Sequence, residues 1–257
     1  MGTLLISAVA TLVFCAPGYP GGAGDAQPFL DQFAATASAA AGWPAGSLAA
    51  VYDPTESGGL AKLASPEAAL AFVPYPFFVQ HGAELHLIPL VQADMAGIGT
   101  TERWTLVAKT GSVTGQASLS GYTVLSVAGY APDFVRRSIL PTWPLAPDVV
   151  IEPTGQILSA LRRAAAGDHV VALLDQTQAA ALPTLPFAAQ LTAVMQSNPL
   201  PIALVAVVDD RLTAARVRAL RAALLTLGHS AAEADTLGQL HLKGFVPPQL
   251  PGRAAAR

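Results

Sequence analysis

The feature that most constrains this chain is a recurring module. An apolar run is followed by a loop of Gly, Pro and aromatic residues, and then by an Ala/Leu-rich stretch of helical character. The module occurs on both sides of the segment Gly97-Ile-Gly-Thr-Thr-Glu-Arg-Trp-Thr-Leu-Val-Ala-Lys109. Strands that alternate with helices in this way predict an α/β fold with mostly parallel sheets. Trp104–Lys109 has strand composition and reads as the passage from one α/β lobe into a second. The apolar, β-rich run Leu200–Val208 reads as the return. The prediction is therefore two Rossmann-like lobes of discontinuous sequence, residues 1–103 with 203–257 and residues 104–202, joined by two hinge crossings.

Within the first lobe the expected strands are 10–15, 48–52, 69–73 and 85–92, with Asp25 capping the first helix and Ser65-Pro66-Glu67 opening another. Beyond the crossing, strands are expected at 122–127, 148–151 and 170–174. Helices are expected at 134–140, from a Thr154 cap to Gly167, and at 212–227 opened by Asp209 and Asp210. Ser230-Ala-Ala-Glu233 is a capping box for a last helix reaching about His241. The Pro- and Ala-rich tail, 247–257, reads as loosely attached.

Composition narrows the function. Charged residues make up 12% of the 257 residues and hydrophobic residues 52%, against about 25% charged in an ordinary soluble domain. That balance implies an unusually apolar surface or cleft. A net charge of −3, with arginines spread over separate helices, gives no nucleic-acid signature. The single Cys15 excludes an internal disulfide and a Cys-rich metal site, and its apolar run predicts a buried, inert thiol. The apolar run 4–14 is too short to span a bilayer. Ser7-Ala-Val-Ala10 resembles a signal-peptidase site without a basic region before it.

Catalytic patterns are missing. There is no Gly-x-Ser-x-Gly elbow and no Cys/His pair, and the five histidines are scattered. No phosphate-loop Lys-Ser/Thr follows Gly21-Gly-Ala-Gly24, which reads as a turn. Glu56, Glu102, Asp133, Glu152 and Asp175 fall at loops or strand ends, without a nucleophile, base and orienting group together. The reading is a binder rather than an enzyme, with no cofactor and no metal.

Strand-to-helix loops of parallel sheets share the carboxyl edge, where ligands bind. The candidate ligand-binding residues on these loops are Tyr19, Glu56, Ser57, Tyr75, Pro76, Phe77, Gly129, Tyr130, Thr154, Asp175 and Gln176, with Glu102 and Trp104 at the crossing. Five aromatics with few polar groups suggest an apolar or amphipathic ligand whose hydroxyl tip would meet Glu102. On that reading Trp104→Ala weakens the ligand and leaves folding largely intact, and Glu102→Ala loses discrimination for the polar tip.

Several segments, in this order, carry a family resemblance. They are Ala16-Pro-Gly-Tyr-Pro-Gly21, Ala71-Phe-Val-Pro-Tyr-Pro-Phe77, Trp104-Thr-Leu-Val-Ala-Lys109 with Leu119-Ser-Gly-Tyr122, Val170-Val-Ala-Leu-Leu-Asp175, and Leu237-Gly-Gln-Leu-His-Leu-Lys-Gly-Phe-Val-Pro247. Together they resemble the type II periplasmic substrate-binding proteins of ABC transporters, in the phosphate/phosphonate-binding, PhnD-like branch. The resemblance implies a monomeric periplasmic protein that closes two lobes around a small molecule and delivers it to an inner-membrane transporter. The chain departs from the branch at Ala128-Gly-Tyr130, where phosphonate binders carry hydroxyls. That departure turns the expectation toward a lipid-like or sterol-like ligand. A phosphonate, phosphate or other oxyanion is the alternative, and an enzyme on the same fold, such as a pyrimidine-precursor synthase or a deaminase-type lyase, is the third reading.

Overall fold

The computed structural model describes residues 9–19, 21–141, 143 and 145–251. The signal-like Ser7-Ala8 and the tail beyond 251 lie outside them. The chain divides into two compact units. Unit 1 comprises residues 1–16, 21–100 and 202–257, and unit 2 comprises residues 17–20 and 101–201. Residues 17–20 thus group with unit 2, although the sequence reading keeps them in the first lobe.

Unit 1 is built on a six-stranded sheet. Its strands are β1 (Ala10–Cys15), β2 (Leu48–Asp53), β3 (Ala68–Pro74), β4 (Leu87–Met95), β12 (Ala203–Val208) and β13 (Leu242–Val246), in the order β13-β4-β12-β3-β1-β2. β1 runs parallel to β2 and β3, whereas β12 is antiparallel to both β3 and β4, and β13 is antiparallel to β4. The sheet is mixed, and the expectation of a mostly parallel sheet is corrected accordingly. Apolar runs report burial on both faces and do not report direction. β13 takes in Gly244 and Phe245, within one of the segments that carry the family resemblance.

Helices α1 (Ala23–Ala40), α7 (Ala214–Thr226) and α8 (Ala231–Gln239) cover this sheet. Leu30, Phe33, Ala34 and Ala37 of α1 enter one core with Leu12, Phe14, Leu220, Leu237 and Phe245. Phe33 meets Phe14 edge-on at 5.7 Å. Three expected helix starts move. α1 begins at Ala23 behind Gly22, ahead of Asp25. Thr213 caps α7 in place of the Asp209–Asp210 turn, where Asp209 has φ 51°. Residues 65–67 form a turn into β3 and not a helix start. The Ser230–Glu233 capping box of α8 is present as read.

α2 (Glu56–Ala64) is capped by Thr55, which accepts from the Gly58 amide at 3.1 Å. The Gly58-Gly59 pair reads as loop in the sequence, yet it lies inside this helix. A Cβ at Gly58 would run into the Asp53 carboxylate, and one at Gly59 into Cys15 Sγ. These glycines let α2 sit directly on the ends of β1 and β2.

Unit 2 contains a five-stranded sheet of β6 (Thr105–Lys109), β7 (Thr123–Ser126), β8 (Val150–Pro153), β9 (Val170–Leu174) and β10 (Leu191–Gln196), in the order β10-β6-β9-β7-β8. β7 is parallel to β8 and β9, and β6 is antiparallel to β9 and β10. α5 (Ile157–Ala166) buries Ala160, Leu161 and Ala164 against Val107, Leu125, Ala172 and Leu174. Gly167 ends α5 in the left-handed conformation, as expected from the sequence. Gln156, not Thr154, is the residue preceding α5. The Thr154 hydroxyl instead accepts from the Gln156 amide at 3.1 Å. α4 (Pro132–Phe134) is a single turn that widens into a π turn over Val135–Ile139, where the Leu140 amide reaches Val135 O at 3.0 Å. The chain enters unit 2 through β5 (Thr101–Glu102) and leaves through β11 (Leu200–Pro201), which pair antiparallel with Glu102 opposite Leu200.

Candidate functional site

Topology explains which residues meet in unit 2. β7, β8 and β9 run parallel, so the loops after Ser126, Pro153 and Leu174 share one edge of the sheet. β6 runs the opposite way, with Thr105 paired to Leu174. Its start, and with it Glu102-Arg103-Trp104, therefore falls on that same edge. Gly18 completes the edge. A Cβ there would meet Val127 O at 2.8 Å, so the segment bearing Tyr19 lies close against the β7 loop.

Glu102 and Asp175 are 5% and 4% exposed. Asp175 caps α6 (Gln176–Ala181), taking the Gln178 amide at 2.8 Å, while the Gln178 side chain returns to the Asp175 amide. Burial raises the Asp175 carboxyl above the usual range, and the Gln178 and Thr177 amides oppose this in part. Glu102 is pushed up to about 8, by burial first and by the Asp175 charge second. The Gln176 amide and the Trp104 indole N–H act in the other direction. Trp104 is 1% exposed, and its Nε1 is directed at Glu102 without closing a hydrogen bond. Tyr19 is exposed as a residue. Burial of its phenol, followed by the Glu102 and Asp175 charges, holds it well above the ordinary tyrosine value.

Among the described residues, no salt bridge pairs Glu102 or Asp175 with a cation. The neighbouring Arg103 sends Nη1 to Ser197 O at 2.7 Å, and its amide donates to Gln176 Oε1 at 3.3 Å. Ser197 is 2% exposed and accepts from the Trp104 amide at 3.0 Å, which fixes the approach to β6. Ser126, fully buried, accepts from the Ala128 amide at 3.2 Å through its hydroxyl and from the Thr154 amide at 2.8 Å through its carbonyl. Gly129 lets the β7 and β8 loops cross, since a Cβ would overlap the backbone of Glu152 and Pro153. Tyr130 is half-buried beside it.

The remaining candidates belong to unit 1. Glu56 and Ser57 form the first turn of α2, and Glu56 Oε1 pairs with His81 Nε2 at 2.7 Å. Tyr75, Pro76 and Phe77 are not a loop but the first turn of α3 (Tyr75–His81), with Pro at a position that suits a helix start. Phe77 has no exposed surface and packs on His81 at 4.9 Å. Tyr75 stacks on Phe78 at 6.3 Å and lines a cavity of about 410 Å³ with Val79, Leu87, Ile88 and Leu250. Nearby, Asp53 is salt-bridged to Lys62. Burial would raise its carboxyl, but hydrogen bonds from Lys62 and Thr55 outweigh that and hold it low. Cys15, 1% exposed, is pushed up to about 12 by burial and then by Asp53 and Glu56, which leaves an unreactive thiol.

Sequence reasoning missed Ser126, Ser197 and the Asp53–Lys62 pair. Ser197 lies at the end of β10, a strand that was not foreseen. Asp53 was legible, since an Asp two residues before a Thr cap is a known turn-forming pattern. Among the described residues, no group of three His, Cys, Asp or Glu side chains could hold a metal.

No family model and no curated protein matches this chain. Solved structures do. XAC2383 from Xanthomonas citri, bound to ATP, is similar over 95% of this chain and 92% of its own, with a TM-score of 0.68 and 16% identity. A binding protein component of an ABC phosphonate transporter from Pseudomonas aeruginosa is similar over 94% and 82%, with a TM-score of 0.63 and 12% identity. PhnD1 from Prochlorococcus marinus, in complex with methylphosphonate, is similar over 93% of each chain, with a TM-score of 0.59 and 13% identity. The fold is that of the type II periplasmic binding proteins. At these identities the likeness carries the fold and not the ligand.

Proposed function

We propose that this chain is a solute-binding protein that takes up a small, oxygen-rich solute of the phosphonate, phosphate or other oxyanion class. It would work outside the cytoplasmic membrane and pass the solute to a membrane transport partner without chemical turnover. The observation that carries the reading is the polar edge of unit 2, where Tyr19, Glu102, Trp104, Asp175 and Gln176 converge. The names of the similar structures support it, since ATP, phosphonate and methylphosphonate all present phosphorus-bound oxygens. No helix among the described residues is long and apolar enough to cross a membrane.

The lipid-like or sterol-like ligand suggested by the loop aromatics has little support. Trp104 and Phe77 are fully buried packing residues, so they offer no apolar surface to a ligand. The α6 N-terminus is not an open anion cradle either, because Asp175 already occupies its amides. An oxyanion must therefore be held by donors other than that helix end.

Thermal shift and isothermal titration against inorganic phosphate, methylphosphonate and ATP test the reading. We expect at least one of them to raise the melting temperature. A ligand at 100 times its Kd stabilises the folded state by about 2.7 kcal/mol. No shift with any of the three, together with a lipid recovered by extraction of the purified protein, would overturn it.

A further inference from the structure

We propose that the segment 247–251 is a strap that stiffens the two crossings of the chain, acting on them through the side chain of Gln92. Gln92 lies within β4, with Leu204 of β12 on one side and Val246 of β13 on the other. It is 1% exposed, so both ends of its amide need partners inside the protein. Nε2 donates to Thr100 O at 2.6 Å, and Oε1 accepts from the Gln249 amide at 3.0 Å. Thr100 is the last residue of unit 1 before the first crossing, and Ile202 is the first after the return. The Ile202 amide donates to the same Thr100 carbonyl at 3.4 Å. One carbonyl therefore ties the ends of both crossings, and Gln92 joins it to a segment 157 residues further on.

The crossings have little to hold them otherwise. β5 and β11 are two residues each, pairing Glu102 with Leu200 and Thr101 with Pro201, and the proline has no N–H to donate. So short a ladder opens as readily as its anchors allow, and the anchors are Thr100 and Ile202. Crossings of this kind are where a protein of two units bends. The strap, in turn, is seated on unit 1. Leu250 and Pro251 line the cavity of about 410 Å³ together with Tyr75 and Phe78 of α3 and Ile88 of β4. Pro247, Pro248 and Pro251 restrict the backbone on both sides of Gln249, which lowers the entropy gained by detachment. The side-chain amide of Gln92 is planar, so a rotation that frees its oxygen also turns its nitrogen away. The bond to Gln249 therefore keeps Nε2 aimed at Thr100. The tail that reads as loosely attached in the sequence is, up to Pro251, fastened to the point where the chain leaves unit 1.

The experiment is native-state hydrogen exchange, read amide by amide by NMR, on the full chain and on Gln249→Pro, Gln92→Met and the double variant. Gln249→Pro removes the donor from an exposed position in a proline-rich run and leaves Gln92 and the crossings unaltered in sequence. We expect exchange at the Glu102, Leu200 and Ile202 amides to rise about fivefold to tenfold in Gln249→Pro, the factor carried by one intramolecular hydrogen bond, with the β1 amides unchanged. Gln92→Met should raise it at least as much, and the double variant no further than Gln92→Met, because both changes break one chain of bonds. A rise confined to residues 247–251, with the three crossing amides as in the parent, overturns the strap. So does an equal rise in β1, which marks a general loss of stability, and so do additive effects in the double variant. Should Gln92→Met fail to fold, Gln249→Pro alone decides by the same amides.

Discussion

Replacing Trp104 by alanine is expected to destabilise unit 2 by about 3–5 kcal/mol, the usual cost of emptying a large, fully enclosed aromatic site. The indole is 1% exposed and meets Phe134 edge-on at 5.5 Å, and the Trp104 backbone is tied on both sides to Ser197. This reverses the sequence expectation that Trp104→Ala would spare folding and act mainly on a ligand. With total stabilities of about 5–15 kcal/mol, such a loss is a large part of the whole. Urea unfolding followed by circular dichroism measures it. A loss below about 1 kcal/mol would mean that Trp104 is not a core residue.

Stability is expected to fall as pH rises from about 4.5 to 8, and Glu102→Gln should remove most of that slope. The folded carboxyl titrates near 8, whereas in the unfolded chain it takes the ordinary glutamate value. Between those values the folded state holds a proton that the unfolded state has released. Stability therefore drops by about 1.4 kcal/mol per pH unit and levels off above 8. The accumulated effect is on the order of 5 kcal/mol, and with 5% exposure solvent screening removes little of it. Asp175, also raised, adds loss of the same sign at the acid end of the window. Denaturation midpoints of parent and Glu102→Gln at pH 5, 7 and 9 decide the matter. Parallel profiles would show that Glu102 titrates normally.

The alternation of apolar runs with helical stretches made the α/β class legible, because burial on two faces and amphipathic period are local properties. Strand direction was not legible, since β12 is as apolar as a parallel strand and owes its antiparallel pairing to distant partners. Capping chemistry was readable where it is local, as at Ser230–Glu233 and Gly167. It misled where a neighbour decides, as at Gly58-Gly59, whose meaning is the thiol and carboxylate beneath them. In the site, Glu102 and Asp175 could be placed on one edge from topology alone. Their proton balance could not, because it depends on burial and on where Arg103 turns. The burial of Phe77 and Trp104 was illegible for the same reason, since a loop position in sequence does not distinguish a ring facing a ligand from one filling the core.

The strand order of unit 1 also governs how the chain can assemble. β12 lies between β3 and β4, yet its residues follow all of unit 2 in the chain. An emerging polypeptide therefore completes residues 101–201 while the first sheet still has an open slot at its centre, and β3 and β4 stay unpaired on facing sides until residue 208 appears. Unit 2 is free to condense first, and unit 1 closes as a late step around an inserted strand. Hydrogen exchange on ribosome-bound chains from which residue 201 but not residue 208 has emerged should accordingly protect β7 and β9 before β3 and β4. The reverse order would mean that the slot closes without waiting for its missing strand.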